Sequence, residues 1–415
     1  MKPIPYCILL IALSFSLNGQ SLQEQLIDLR TELKVLKKEQ SQVESKIELI
    51  ELQQLKQDLE PFLPKINQGE QLIDHSLMYL VYSETHEQAK WVAHVISPKI
   101  IEGQISRTND FRRDPKIPGG SAQEEDYFLK TQNADNSYDY DGYGYDRGHL
   151  APSADFRWSA IALSESYYYS NMSPQAPEFN RGIWADLENA LRGYVYRNPK
   201  SKLYVFTGPV LSGDLPTQER SVNQMSIPKF YWKVALDFEN KKMIGFILPN
   251  TESASPLNSF IRPVDEIEAL TGIDFTPMLA DELEAQLEQQ KDALTWLGEE
   301  AASEVSPLSP TSLPKNHFNT TQAKRYQNSN EVISVCGTAV DARKSRSDNV
   351  LINLDKRYPN QVFTVFIRKE QVVNFGQDPV AHWIDQKVCV TGKVVSLSGT
   401  SAMFIEHEHQ LKKLE

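Results

Sequence analysis

Asp146-Arg147-Gly148-His149 sets a carboxylate, a guanidinium and an imidazole within four consecutive residues, around a glycine that lets another group approach the backbone closely. An imidazole with an ordinary pKa near 6.5 is largely neutral at pH 7 and can take a proton, as a general base must. Further along, Asn180, Trp184 and Glu188 recur at every fourth position, so on one helix all three share a face. An amide oxygen beside a carboxylate offers hard donors, suited to a cation such as Mg2+. The sequence has no Cys/His cluster and no His-Glu-x-x-His, which argues against zinc. Taken alone, the tetrapeptide is equally an ordinary polar turn, so its weight depends on its company.

The chain has 415 residues, 40% of them hydrophobic, which gives room for two or three domains with ordinary cores. A formal net charge of -12 excludes a generally basic surface, so any contact with nucleic acid must come from a local groove. Residues 1–19 combine Lys2, an apolar run from Tyr6 to Leu13 and small polar residues, the shape of a secretory signal peptide cleaved near Asn18-Gly19-Gln20. The run is too short to span a bilayer. The expected mature chain is therefore secreted or periplasmic and lacks a transmembrane segment, an uncleaved anchor being the competing reading. Cys7 would leave with the peptide, and only Cys336 and Cys389 would remain.

Over residues 21–60 an apolar stripe (Leu22, Leu26, Leu29, Leu33, Leu36, Val43, Ile47, Ile50) follows a four-three alternation broken only at Gln40. The pattern predicts a long helix ended by Pro61 and Pro64, either a coiled coil forming a homodimer or homotrimer or a helix folded back on its own domain. Residues 68–297 mix aromatic and β-branched strands with helices expected at Ser164 to Tyr169, Trp184 to Tyr194, Val264 to Leu270 and Asp281 to Leu297. Without regular strand-helix alternation this is α+β. Ser106 to Pro115 is a loop holding Arg107, Arg112 and Arg113, and Asp135 to Tyr145 reads as a surface loop. Residues 298–330 have linker composition, and 331–415 hold five short strands suited to a small β-barrel.

The ordered motifs Asp146-Arg147-Gly148-His149, Asn171-x-x-Pro174-Gln175 and Asn180-x-x-x-Trp184-x-x-Leu187-Glu188 resemble the DNA/RNA non-specific endonucleases of the ββα-metal superfamily. The resemblance covers Gln68 to Leu297 and extends to Phe206-Thr207-Gly208-Pro209, Ile227-Pro228-x-x-Tyr231-Trp232-Lys233 and Val264-Asp265-Glu266-Ile267-Glu268. It implies a ββα-metal nuclease domain acting on DNA, RNA or both and leaving 5′-phosphates. His149 would be the general base and Asn180 the protein ligand of Mg2+, or of Mn2+ in its place. Glu188 would act on the ion through water, and Arg107 and Arg147 would clamp the phosphate. Asn171 belongs with these site residues, more as support than as a metal contact. Arg181 and Arg112 are further phosphate candidates, Trp184 is core packing, and Asp146 shapes the loop. A catalytically silent nuclease fold, retained as a binding or envelope module, is the alternative.

The barrel region resembles an OB-fold, in which the first and fourth strands are neighbours. That places Cys336 and Cys389 to form a disulfide, the alternative being two buried thiols. Arg343, Lys344, Arg346, Lys356, Arg357, Phe363 and Phe366 could furnish a face for single-stranded nucleic acid, or the barrel could be a scaffold.

Overall fold

The computed structural model describes residues 21–414, apart from 134, 303, 346, 359, 360, 398 and 399 and the side chains of 299–302. The expected signal peptide and Arg346 lie outside the described residues. In chain order the elements are helix α1 (Leu22–Leu59), strands β1 (Leu72–Asp74), β2 (Met78–Ser83), β3 (Gln88–Ile96), β4 (Phe128–Gln132), β5 (Tyr138–Gly142) and β6 (Asp146–His149), then helix α2 (Ala160–Glu165). There follow β7 (Met172–Gln175), α3 (Pro177–Asn180), α4 (Ile183–Arg197), β8 (Leu203–Pro209), β9 (Phe230–Asp237), β10 (Lys242–Pro249) and β11 (Ile261–Arg262), and then α5 (Val264–Thr271), α6 (Asp281–Glu288) and α7 (Ala293–Ala302). The C-terminal part holds β12 (His317–Asn319), β13 (Val332–Lys344), β14 (Val350–Leu354), β15 (Phe363–Ile367), α8 (Pro379–His382), β16 (Lys387–Leu397), β17 (Thr400–Ile405) and β18 (Leu411–Lys413). No helix among the described residues is long and apolar enough to cross a membrane.

The chain divides into two compact units, Met1–Gln54 and Leu55–Glu415. In the first, the α1 seam residues Leu22, Leu26, Leu29, Leu33, Leu36, Val43, Ile47 and Ile50 are all exposed. The second begins within the same helix, earlier than the expected boundary at 60. Leu55, Leu59 and Phe62 are buried, and Phe62 packs on Tyr204 and Phe238 with ring centroids 4.5 and 4.8 Å away.

The nuclease-like part is built on an antiparallel sheet in the order β1-β2-β3-β8-β9-β10-β11. Its central strands are apolar on both faces because both are covered. On β9, Tyr231 contacts the Trp184 ring of α4, while Trp232 contacts Phe275. Beside the sheet, β6 and β7 pair antiparallel and lead into α3 and α4, a ββα unit.

Several local expectations change. The loop at Asp135 to Tyr145 contains β5, which pairs with β4 in a hairpin whose polar side chains are largely exposed. The expected helix at Ser164 to Tyr169 is α2, which begins at Ala160, capped by the Ser159 hydroxyl, and ends at Glu165. The span from Asp281 to Leu297 is two helices, α6 and α7. The 298–330 stretch is not a bare linker, since β12 lies in it and pairs in parallel with β13.

The barrel closes in the order β13-β14-β15-β17-β16, with β13 and β16 also paired. Their register sets Cys336 opposite Cys389, and the two form a disulfide. Some of the residues suggested for a nucleic-acid face have other contacts. Phe363 is core, buried Lys356 lies 3.6 Å from Asp186 of α4, and Arg343 lies over the Tyr358 ring.

Candidate active site

The glycine of the tetrapeptide is needed for space. Gly148 sits in extended strand β6 opposite Ser173, and a Cβ there would come within 2.1 Å of the Gln175 Oε1 atom. Any larger residue would have to displace the buried Gln175 side chain packed against this strand.

The expected single helix from Asn180 to Glu188 is broken. Asn180 ends α3, and α4 begins at Ile183. Gly182 makes the break possible, because a Cβ there would meet the Glu178 carbonyl oxygen at 2.4 Å. A polar anchor replaces continuous helical geometry: Asn180 Nδ2 donates to Asp146 Oδ2 at 2.8 Å, and Arg181 donates to both oxygens of the same carboxylate at 2.8 and 2.6 Å. Asp146 therefore shapes the site by holding α3 to β6. With the amide nitrogen committed, Asn180 keeps its carbonyl oxygen as the group to offer a cation.

His149 lies at the far end of β6, its ring edge-on to Phe111 and Tyr167 and its carbonyl accepting the Trp184 indole N–H at 3.4 Å. Trp184 itself is fully buried, as core packing requires. The Nε2 atom of His149 is enclosed and has no hydrogen-bond partner. Burial pushes the His149 pKa down, and the positive charges of Arg107 and Arg147 push it the same way, to about 3. The ring is thus neutral at pH 7.

Arg147 lies between two aromatic rings, 3.8 Å from the Phe111 centroid and 5.2 Å from Phe128, and reaches the Tyr169 hydroxyl at 3.4 Å. These rings and Arg147 line an open cleft of about 520 Å³ together with Asn109, Glu124 and Tyr140. Arg107 is exposed, and its charge is felt by both His149 and Glu188. Arg112 is engaged within the protein: it donates to the Ser164 carbonyl at 2.9 Å and lies over the Tyr168 ring.

Asn171, grouped with the site residues mainly as support, is a brace. It is fully buried, its Nδ2 donates to the carbonyls of Ala151 and Ser166, and its Oδ1 accepts the Ala151 amide. Both amide hydrogens are used, and burial keeps its oxygen away from substrate.

Glu188 projects from α4, whose inward stripe is Ile183, Trp184, Leu187, Leu191, Tyr194 and Val195. Burial raises its pKa, opposed by Lys233 and Arg192. Three more groups surround it, of which only Lys233 stood in a motif, without an expected role. Lys233 of β9 is 1% exposed and donates to Leu150 O at 3.2 Å and Thr207 Oγ1 at 2.7 Å, with its ammonium 4.7 Å from the Trp184 ring. Asp155 accepts from Arg192 at 2.7 Å and bonds His94 at 3.0 Å. Arg192 could have been found, since it stands one turn past Glu188 and lies 3.9 Å from it.

A ββα unit on an antiparallel sheet, carrying a neutral imidazole, an anchored carboxamide, a buried carboxylate and arginines, defines a nuclease. The chain belongs to the DNA/RNA non-specific endonuclease family, whose model matches residues 57–282. It is a nuclease hydrolase acting on nucleic acid, in a family of metal-dependent enzymes.

Among its relatives, mitochondrial endonuclease G of Bos taurus is 30% identical over 223 residues, which is 50% of this chain and 69% of that protein. A nuclease of Nostoc sp. is 29% identical over 225 residues, 51% of this chain and 76% of that one. The solved EndoG/EndoGI complex aligns over 55% of this chain and 93% of its own at 25% identity, with a TM-score of 0.44.

Proposed function

We propose that this chain is an exported, divalent-cation-dependent endonuclease that hydrolyses DNA, RNA or both with little sequence preference and leaves 5′-phosphates. The observation that carries the reading is the enclosed, unpartnered Nε2 of a neutral His149. A neutral imidazole keeps a lone pair on one ring nitrogen, so it can take the proton of an attacking water. The oxygen-only set of Asn180 and Glu188 fits Mg2+, with Mn2+ as a substitute, Asn180 contributing its carbonyl oxygen directly and Glu188 acting through water. A cation held there would supply charge stabilisation to the phosphate and the departing 3′ oxygen. Arg147 and Arg107 bind the phosphate, and the aromatic cleft beside Arg147 takes the adjoining bases by stacking. Phosphate contacts carry no base information, which is why little sequence preference is expected.

Export rests on the signal-like residues 1–19 and draws support from the Cys336–Cys389 disulfide, since such bonds persist in oxidising compartments. Self-association rests on the exposed heptad seam of α1. The domain reading is a coil ahead of Leu55, a nuclease domain through α7 and a C-terminal barrel.

Plasmid and RNA digestion tests the reading. Cleavage should require Mg2+ or Mn2+, stop with EDTA and fall by several orders of magnitude in His149→Ala, with phosphatase-sensitive 5′ ends. A wild-type rate matched by His149→Ala would remove the proposed base.

A further inference from the structure

A second concentration of negative charge lies on elements that the catalytic constellation does not use. α5 carries Asp265 and Glu268, and α6 carries Glu284 and Glu288, each pair facing one way along its helix. One carboxylate oxygen from each of Asp265, Glu268 and Glu288 lies within 4.8 Å of the other two. Among the described residues none of these acids is ion-paired, and the nearby Lys65 lies 3.6 Å from Asp274 instead.

Burial points inward to something missing. Glu288 is only 5% exposed, and its Oε1 is enclosed without a hydrogen-bond donor. The Oε1 of Glu284 is in the same condition. Glu268 is held in place by the Phe275 amide, which donates to its Oε1 at 2.6 Å. The next residue, Thr276, is fully buried and its hydroxyl also lacks a partner. Acids crowded this way must either hold protons or share a cation. Burial and the neighbouring Glu268 push Glu288 up to about 9, so ionising the cluster without a counter-charge is costly.

Cation chemistry follows from the donors and their spacing. All three are oxygens, and no nitrogen or thiolate joins them, so zinc and copper are disfavoured. Calcium binds oxygen at about 2.3–2.6 Å, so oxygens around one ion lie at most about 5 Å apart. Magnesium, at about 2.0–2.1 Å, would require the cluster to contract and keeps its waters more firmly. We propose that Asp265, Glu268 and Glu288 form a calcium site that staples α5 to α6, with Glu284 completing its outer wall. The ion would have a structural role. Val264 and Ile267 of α5 pack beside Gly245 of β10, and Phe275, between the two helices, packs on Phe206 and Trp232 of the central sheet.

The test uses the full chain carrying Asn180→Ala, which removes the oxygen proposed for the catalytic ion and keeps the two questions separate. After EDTA stripping, calcium chloride should bind with one equivalent per chain by calorimetry and raise the melting temperature by several degrees, with a smaller rise in magnesium chloride. Adding Glu288→Gln or Glu268→Gln should abolish both responses, yet leave the calcium-free melting temperature equal or higher, because repulsion is relieved. Asp265→Asn, at an exposed position, supplies the same comparison should a buried variant not fold. Absence of calcium binding, or binding that survives these substitutions, overturns the proposal. So does a cluster whose only response is a higher melting temperature in Glu288→Gln, since it would be holding protons.

Discussion

Asp146 and Asn180 are joined by a hydrogen bond of 2.8 Å in which the amide nitrogen donates and the carboxylate accepts. One residue of the tetrapeptide thereby orients the carboxamide oxygen proposed to meet the cation. Partners of this kind are worth roughly 10–100-fold in metal affinity or activity. Asp146→Ala should raise the Mg2+ concentration for half-maximal cleavage by about that factor, with partial recovery at saturating Mg2+. An unchanged midpoint in a metal titration would show that Asn180 needs no such anchor.

Lys233 is a buried cation beneath the catalytic helix, and Glu188 is the carboxylate whose charge favours its protonated form. Removing one member of a buried pair commonly costs about 3–5 kcal/mol. Lys233→Met should lower stability by that order in urea unfolding. It should also move the acid limb of the rate profile to higher pH, because Glu188 loses a neighbour that holds its pKa down. A profile that does not move would separate Lys233 from the site.

Acid should weaken the fold in two windows. Burial lowers the pKa values of His94 and His149, so below about 6.5 the unfolded chain gains protons that the folded chain refuses. Their stabilising effect is complete above that value and falls with pH below it, by about 1.4 kcal/mol per pH unit for each histidine. Burial alone would raise Asp155, but Arg192 and His94 outweigh it and hold its pKa low. Its contribution is present above about 3.8 and is lost as pH drops through the folded value. Melting temperature should therefore decline from pH 6.5 to 5 and again below 4, with the first decline shallower in His94→Gln. A flat curve between pH 7 and 5 would contradict this assignment.

The seam of α1 leaves large apolar residues in water within residues 22–54. Light scattering should give a dimer or trimer for the mature chain and a monomer for one beginning at Leu55. Cleavage per chain should be little changed, because every residue of the candidate site lies after that point. Equal masses for the two forms would eliminate the coiled coil.

Much of the site could be read from the sequence because its chemistry is compact: Asp146 to His149 and Asn180 to Glu188 are local strings with fixed spacing. What stayed hidden depends on contacts distant in sequence. Lys233 reaches Leu150 across the fold, and His94 meets Asp155 from another strand. The break at Gly182 was also hidden, since four-residue spacing suggests a continuous helix and the contact that replaces it comes from Asp146. The OB-like strand order placed Cys336 beside Cys389 correctly. Two of the residues suggested for its basic face are engaged elsewhere, because alternation along β15 turns Phe363 inward and Lys356 is drawn to Asp186.

That last pair bears on how far this enzyme can be trimmed. Asp186 sits two residues before Glu188 on α4, and burial raises its pKa against the opposing charge of Lys356. A fragment cut to residues 57–282, the span of the family match, would leave that acid without its counter-ion. The barrel thus supplies the counter-charge to an acid on the helix that carries Glu188, so trimming it away changes the electrostatics of that helix.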